Sequence, residues 1–224
     1  MGVMSITSRY REPKDLPVQV PLFPLSGALL LPRTDLPLNI FEPRYLEMIE
    51  YAMAFHKIIG IIQPIGKSDV EKPKLESVGC AGRITSYSET EDGRLLVTIT
   101  GVCRFMTIVE KKVKTPFRQA HVDYQPFAID FIHETGARSV NREQLVGAFR
   151  QYLEANNMSA DWKEVESVST EVLVNTLSLL APYPPRDKQA LLEAPDLKSR
   201  ADVLVALTEL ALAKYSGDKS GLMQ

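Results

Sequence analysis

Gly66-Lys67-Ser68 reads like the end of a phosphate-binding loop and follows an apolar run, so nucleotide chemistry is the first function the residues suggest. The complete pattern needs a glycine five residues before Gly66, where Ile61 stands, and Gly60 is one residue too far back. Pro64 would remove an amide from the phosphate cradle, and Pro73 forbids the long helix whose N-terminus must hold the anion. A solvated loop tip is the better reading. The three histidines, His56, His121 and His133, include no pair at helical ligand spacing, which excludes a helical zinc pair. Cys80 and Cys103 do not have the spacing of a metal motif and are expected to pack as small hydrophobes. A Cys103 nucleophile with His121 as its base, on separate strands, stays open as a small hydrolase, although only Arg104 is placed to favour the thiolate. Glu89, Glu91 and Asp92 cluster at a predicted hairpin tip, too wet for acid-base work. Lys111, Lys112 and Lys114 alternate along a predicted strand and read as a charged, aggregation-resistant edge. No metal or cofactor site emerges.

Composition narrows the classes further. The chain has 224 residues, enough for one large domain or two small ones, with 45% hydrophobic and 24% charged residues, as in ordinary globular proteins. Net charge is −2; residues 1–125 hold 16 Lys and Arg against 14 acids, and residues 126–224 hold 10 against 14. With a pI near 6.0, neither half carries the basic field of a nucleic-acid binder, so none is expected as partner. Two cysteines are too few for a disulfide scaffold and suit a reducing, cytoplasmic setting. No secretory signal precedes the first strand, and no apolar run approaches membrane-spanning length.

The elements that would position these residues fall into two parts. Seven of the 15 prolines lie in the first 43 residues, which predicts short, bent, extended pieces at Leu16–Leu25 and Leu36–Phe41. Pro43 then opens a helix with Tyr45, Met48, Ile49, Ala52 and Met53 on one face, closed by His56. Strands follow at Ile58–Gln63, Val78–Ser88, Leu95–Thr100, Arg104–Val113 and Phe117–Tyr124, with Asp92-Gly93 turning a hairpin. A bent, partly closed β-barrel with one inserted helix is the prediction. Beyond Tyr124 every segment is helical. Asn141 and Gln144 begin a capping box, stapled by Val140 and Leu145; Asp161 caps a shorter helix, Glu171–Leu180 is apolar nearly all round, and Leu197 opens a last amphipathic helix. The fold class is therefore α+β, with a flexible N-terminus over residues 1–15, a barrel over 16–125, a linker over 126–139, a helical bundle over 140–214 and a frayed C-terminus over 215–224.

Pro21-Leu22-Phe23-Pro24-Leu25 and the run from Leu36 to Tyr45 resemble the N-terminal substrate-binding domain of Lon, the ATP-dependent protease. Further marks occur in order: Val78 to Ile84, the Asp92-Gly93-Arg94 turn, Leu96 to Gly101, Arg104-Phe105 and Lys188 to Ala194. The resemblance covers about residues 16 to 212. It implies a PUA-like β-barrel followed by a helical bundle, and a module that recognises unfolded or damaged polypeptide or serves as an adaptor in proteolysis. Asn39 stands where the family commonly has His, so a role tied to that imidazole does not carry over. No Walker loop and no Ser–Lys dyad is found, so a free-standing module that neither hydrolyses ATP nor cleaves peptides is expected, as a monomer or weak dimer.

An apolar groove in the proline-bent segment would suit extended polypeptide, and its candidate residues are Phe23, Leu25, Leu29, Leu31, Arg44 and Tyr45. Phe23, Leu38, Ile40 and Phe41 are also expected in the core, and Arg44 is expected to anchor the helix start to Glu42 or Glu47. RNA binding, which PUA-like barrels elsewhere carry out, is the rival from another class.

Overall fold

The prolines of the first segment leave room for only short ladders: Pro24 ends one six-residue strand, in which Pro21 also stands, and Pro37 stands inside another. In the computed structural model, which describes residues 9–66 and 72–221 with side chains to Ala213, β1 covers Gln19–Pro24 and β2 covers Asp35–Ile40. Helix α1, Pro43–Ala54, begins on its proline and buries Tyr45, Met48, Ile49 and Ala52. It returns the chain so that β3, Ile58–Pro64, runs parallel to β1. Strands β4, Leu75–Glu89, and β5, Leu95–Glu110, form a long hairpin, and β6 covers Arg118–Asp123. The hairpin turn is the one the Asp-Gly pair calls for: Gly93 has φ +76° and donates to the Thr90 carbonyl at 2.9 Å.

The sheet order is β2-β5-β4-β3-β1-β6, and a further β5–β6 pairing closes five of the strands into a ring. Closure depends on β5. Its first half pairs with β2 through Asp35↔Thr100 to Ile40↔Leu95, and its last residues pair with β6 through Met106↔Asp123 to Glu110↔Ala120. The sequence predicts two strands here; the molecule has one of 16 residues, bent by an irregularity between Thr107 and Val109. β5 ends at Glu110, so Lys111, Lys112 and Lys114 lie in the loop beyond it and do not alternate along a strand.

Small residues let the layers meet. A Cβ on Gly101 would sit 2.0 Å from the Leu31 carbonyl oxygen, and one on Gly79 would sit 2.5 Å from the Phe105 ring. Leu29, Leu30 and Leu31 are thereby drawn beneath the surface, with Phe105, Ile59, Leu22 and Ile99 at the centre. Arg104 is also buried. Its guanidinium and backbone N–H bind the Asp130 carboxylate at 2.7–2.9 Å, and it stacks on Phe127 at 4.5 Å. That pair fastens a 3-10 turn, Gln125–Phe131, onto β5, so the first half of the stretch read as a linker is packed structure. Residues 9–15, read as flexible, are likewise held: Arg83 donates to the Tyr10 hydroxyl at 2.8 Å, and Tyr10 is buried.

The chain divides between Ile132 and His133 into two compact units. The second contains α2, Arg142–Ala155; α3, Trp162–Ser167; α4, Thr170–Leu180; α5, Pro185–Glu193; and α6, Leu197–Gly221. Asn141, Asp161 and Ser169 cap α2, α3 and α4 through their side-chain oxygens. Helix α6 packs on α2, α4 and α5, and its buried Arg200 donates to the Leu191 carbonyl and the Asn175 side chain, each at 3.0 Å. Its backbone stays helical to Gly221, past the point where fraying is expected from sequence; residues 222–224 lie outside the described part.

Candidate functional site

Among the described residues none of the chemistry first suggested by residue type is assembled. Cys103 is fully buried, and its thiol donates to the Arg104 carbonyl oxygen. Burial first, then the Asp130 carboxylate, pushes this thiol far above the ordinary cysteine range, the reverse of what a nucleophile needs. His121 lies opposite Val109 on β5 and contacts Gln19 at 3.2 Å. Cys103 is six residues farther along β5, about 20 Å at 3.3 Å per residue, so the two are not partners. His56 is exposed, just beyond the end of α1. Among the described residues no group of three or more His, Cys, Asp or Glu side chains could hold a metal ion, and no helix is long and apolar enough to cross a membrane. Lys67 and Ser68 lie outside the described residues.

What the fold does build is an open groove of about 380 Å³ at one end of the barrel. The β1–β6 ladder stops at Leu22↔Arg118, and the two strands part beyond it. The end of β1 supplies Phe23, Pro24 and Leu25; the β2–α1 corner supplies Asn39, Phe41, Arg44 and Tyr45. Pro64, Pro73 and the stretch Pro116–Arg118 close the other sides. The floor is aromatic: the rings of Phe23 and Tyr45 lie 4.3 Å apart, tilted by 39°. Phe117 is buried against Tyr51 of α1 at 5.4 Å. Phe41 stands up on the rim, 62% exposed, with the Arg94 guanidinium 5.7 Å from its ring centre.

The charged groups of the groove are already paired. Arg44 donates from Nε to Glu42 Oε2 at 2.9 Å and lies 4.6 Å over the Tyr45 ring. Burial raises the Tyr45 phenol above its ordinary value, so the ring enters as an apolar surface and a neutral hydroxyl. Arg118 binds Glu110 through Nε and Nη2 at 2.9 and 2.5 Å, and its Nη1 donates to the Pro73 carbonyl at 2.7 Å. That last contact holds Pro73 in place as a wall. Its hydrogen bond to Arg118, ahead of other causes, keeps the Glu110 carboxyl below the usual carboxylate range.

Phe23, Leu25, Arg44 and Tyr45 of the six candidates therefore line one groove. Leu29 and Leu31 do not: they are 3% and 0% exposed, because the chain passes directly over Gly101 and turns both side chains inward. Arg44 is anchored to Glu42, one of its two expected partners. Phe41 is not core, and Leu38 is only half-buried. Strict alternation along β2 carries the signal for Phe41, since Ile40 points inward and its successor must point out. Phe117 and Arg118 have no comparable signal, being more than 90 residues from Phe23 in sequence.

The comparisons with known proteins agree with this fold. The family described as the ATP-dependent protease La (LON) substrate-binding domain matches residues 19–209. Lon protease of Flavobacterium johnsoniae is 27% identical over 198 residues, covering 84% of this chain and 23% of that protein. Lon protease 2 of Myxococcus xanthus is 24% identical over 206 residues, covering 87% and 24% respectively. The chain thus spans about a quarter of the length of these curated relatives. The crystal structure of a Lon N-terminal domain protein from Xanthomonas campestris superposes with a TM-score of 0.60 at 20% identity, over 84% of this chain and 97% of that one. The N-terminal domain of Mycobacterium avium complex Lon protease gives 0.61 at 19%, over 85% and 98%. A barrel closed through β5, a helical unit after it in the chain and a match over residues 19–209 together place the chain in the Lon substrate-binding domain family.

Proposed function

We propose that this protein is a polypeptide-recognition module whose binding site is the groove between β1, the β2–α1 corner and β6, with no catalytic step of its own. The observation that carries the reading is the groove itself, lined by aromatic rings and prolines with Phe41 exposed on its rim, in a chain of the Lon substrate-binding family. Exposed rings such as Phe41 gain by covering apolar surface, and an extended chain presents side chains to several such subsites at once. Phe23, Leu25, Arg44 and Tyr45 form the floor and one wall, with Phe41 as the exposed anchor on the rim. The module recognises unfolded or damaged segments, or presents them as an adaptor to a separate protease, in a reducing cytoplasm where two buried free thiols are stable.

Binding of fluorescently labelled, reduced casein to the full chain tests this. Phe41→Ala weakens binding several-fold while the melting temperature stays unchanged, because the ring is exposed. Unaltered casein binding in Phe41→Ala and Tyr45→Ala, both folded, would move the site elsewhere. ATP or peptide hydrolysis by the purified chain contradicts the non-catalytic reading.

A further inference from the structure

The groove has a charged annexe. A second depression, of about 500 Å³, shares Pro73 and Arg118 with it and is bordered by Lys72, Lys74, Glu76 and Glu110. Beside both runs the loop that joins β5 to β6, with Lys111, Lys112 and Lys114 followed at once by the groove residues Pro116 and Phe117. Lys112 and Lys114 are exposed, and Lys114 lies two residues from Pro116, no more than about 7 Å along an extended chain. Lys111 is fixed next to β6 by its backbone hydrogen bond to the Gln119 carbonyl, 2.8 Å.

Among the described residues the acids on this side are fewer, and the nearest are engaged. Glu42 is bound to Arg44, and Glu110 to Arg118 and Lys72, which leaves Glu76 within the two linings; Glu47 and Glu50 of α1 lie outside both. The cations are Arg44, Lys72 and Arg118, which are the partners of Glu42 and Glu110, together with Lys74 and the three lysines of the loop. The first unit as a whole is nearly neutral, so this excess is local to the groove end that Pro73, Pro116 and Arg118 form.

From this charge complementarity we infer that the groove selects extended polypeptide carrying an aromatic anchor with acidic residues beside it, the anchor seated on Phe23 and Tyr45 and the acids lying toward Lys72, Lys112 and Lys114. The inference rests on the groove being the binding site and adds the charge of the preferred ligand. A neutral flank gains nothing from the lysines and a basic one is repelled; an acidic one is drawn in over roughly a Debye length, about 10 Å at 0.1 M salt. The rings could equally stack on nucleobases, but the overall pI near 6.0 argues for a peptide.

Fluorescence anisotropy of two labelled peptides against the full chain decides the matter. One peptide carries a central Phe-Leu-Phe with Asp and Glu on one side; the other has Asn and Gln in their place. The acidic peptide binds about ten-fold more tightly at low salt, and the advantage shrinks towards unity near 0.5 M salt, as screening requires. Lys112→Glu with Lys114→Glu abolishes the advantage and leaves the amide peptide's affinity unchanged; these exposed loop positions spare the fold. Equal affinity of the two peptides, or a preference that survives the double substitution, overturns the charge selection while leaving the groove as a binding site. Failure of both peptides to bind overturns both readings. Displacement of the acidic peptide by an oligouridylate at equal concentration overturns the assignment of a peptide as ligand.

Discussion

Two ion pairs of the first unit show how burial changes what a charge contributes. Arg104 and Asp130 are almost entirely removed from water, and removing one partner leaves the other uncompensated. Asp130→Ala is expected to cost about 3–5 kcal/mol in urea unfolding, while Arg104→Met combined with Asp130→Leu recovers most of that loss. Arg118 and Glu110 are partly exposed and stabilise less. The Glu110 carboxyl titrates below its ordinary 4.5 in the folded protein, so its stabilisation is complete above that value and is lost as pH falls through the depressed one. Glu110→Gln should lower stability by about 1 kcal/mol at pH 7, and the difference from the parent should vanish in acid well below 4.5; a constant gap across that range contradicts the pairing. Neither pair is legible in the sequence, since their members stand 26 and 8 residues apart with no pattern linking them. The Arg44–Glu42 pair was legible, because two residues at a helix start have little choice of partner.

Local signals at the level of elements were read well where the cause is local. The helix start at Pro43, the Asp-Gly turn and the Asn141 and Asp161 caps all act within a few residues, and the structure forms each; the Ser169 cap of α4 is equally local but was not read. The β5 strand was read as two because Gly101 and Cys103 interrupt its apolar pattern, and only its neighbours explain the continuity. Gly101 must lack a side chain for the Leu31 carbonyl to pass, so Gly101→Ala should unfold the first unit or cost several kcal/mol, measured by thermal melting. Gly147 in α2 has nothing within 4 Å of where a Cβ would lie. Gly147→Ala should therefore stabilise by about 0.5–1 kcal/mol, and any destabilisation there contradicts the helical environment. The same contrast explains Leu29 and Leu31: hydrophobicity alone suggests a binding surface, whereas the path over Gly101 makes them core.

The order of events in the whole molecule follows from which residues each unit joins. The helical unit closes when α6 packs on α2, whose first residues, Leu197 and Arg142, are 55 positions apart, whereas the barrel closes only when β1 meets β6 across 102 positions, as in Gln19↔His121. Long-range pairing slows folding. The single tryptophan, Trp162, lies in α3 beneath Arg150 at 4.5 Å, so its fluorescence follows the helical unit, while peptide anisotropy follows the groove. On dilution from urea, the tryptophan signal should recover before binding does; simultaneous recovery would mean that the two units fold as one. The same connectivity governs a chain emerging from the ribosome. The groove takes residues from both sides of the barrel's closing seam, so the first hundred residues can leave the exit tunnel without presenting a finished binding surface. If the groove binds unfolded segments as proposed, it cannot capture its own unfinished chain, because the groove is complete only after Arg118 has been made and β6 has docked.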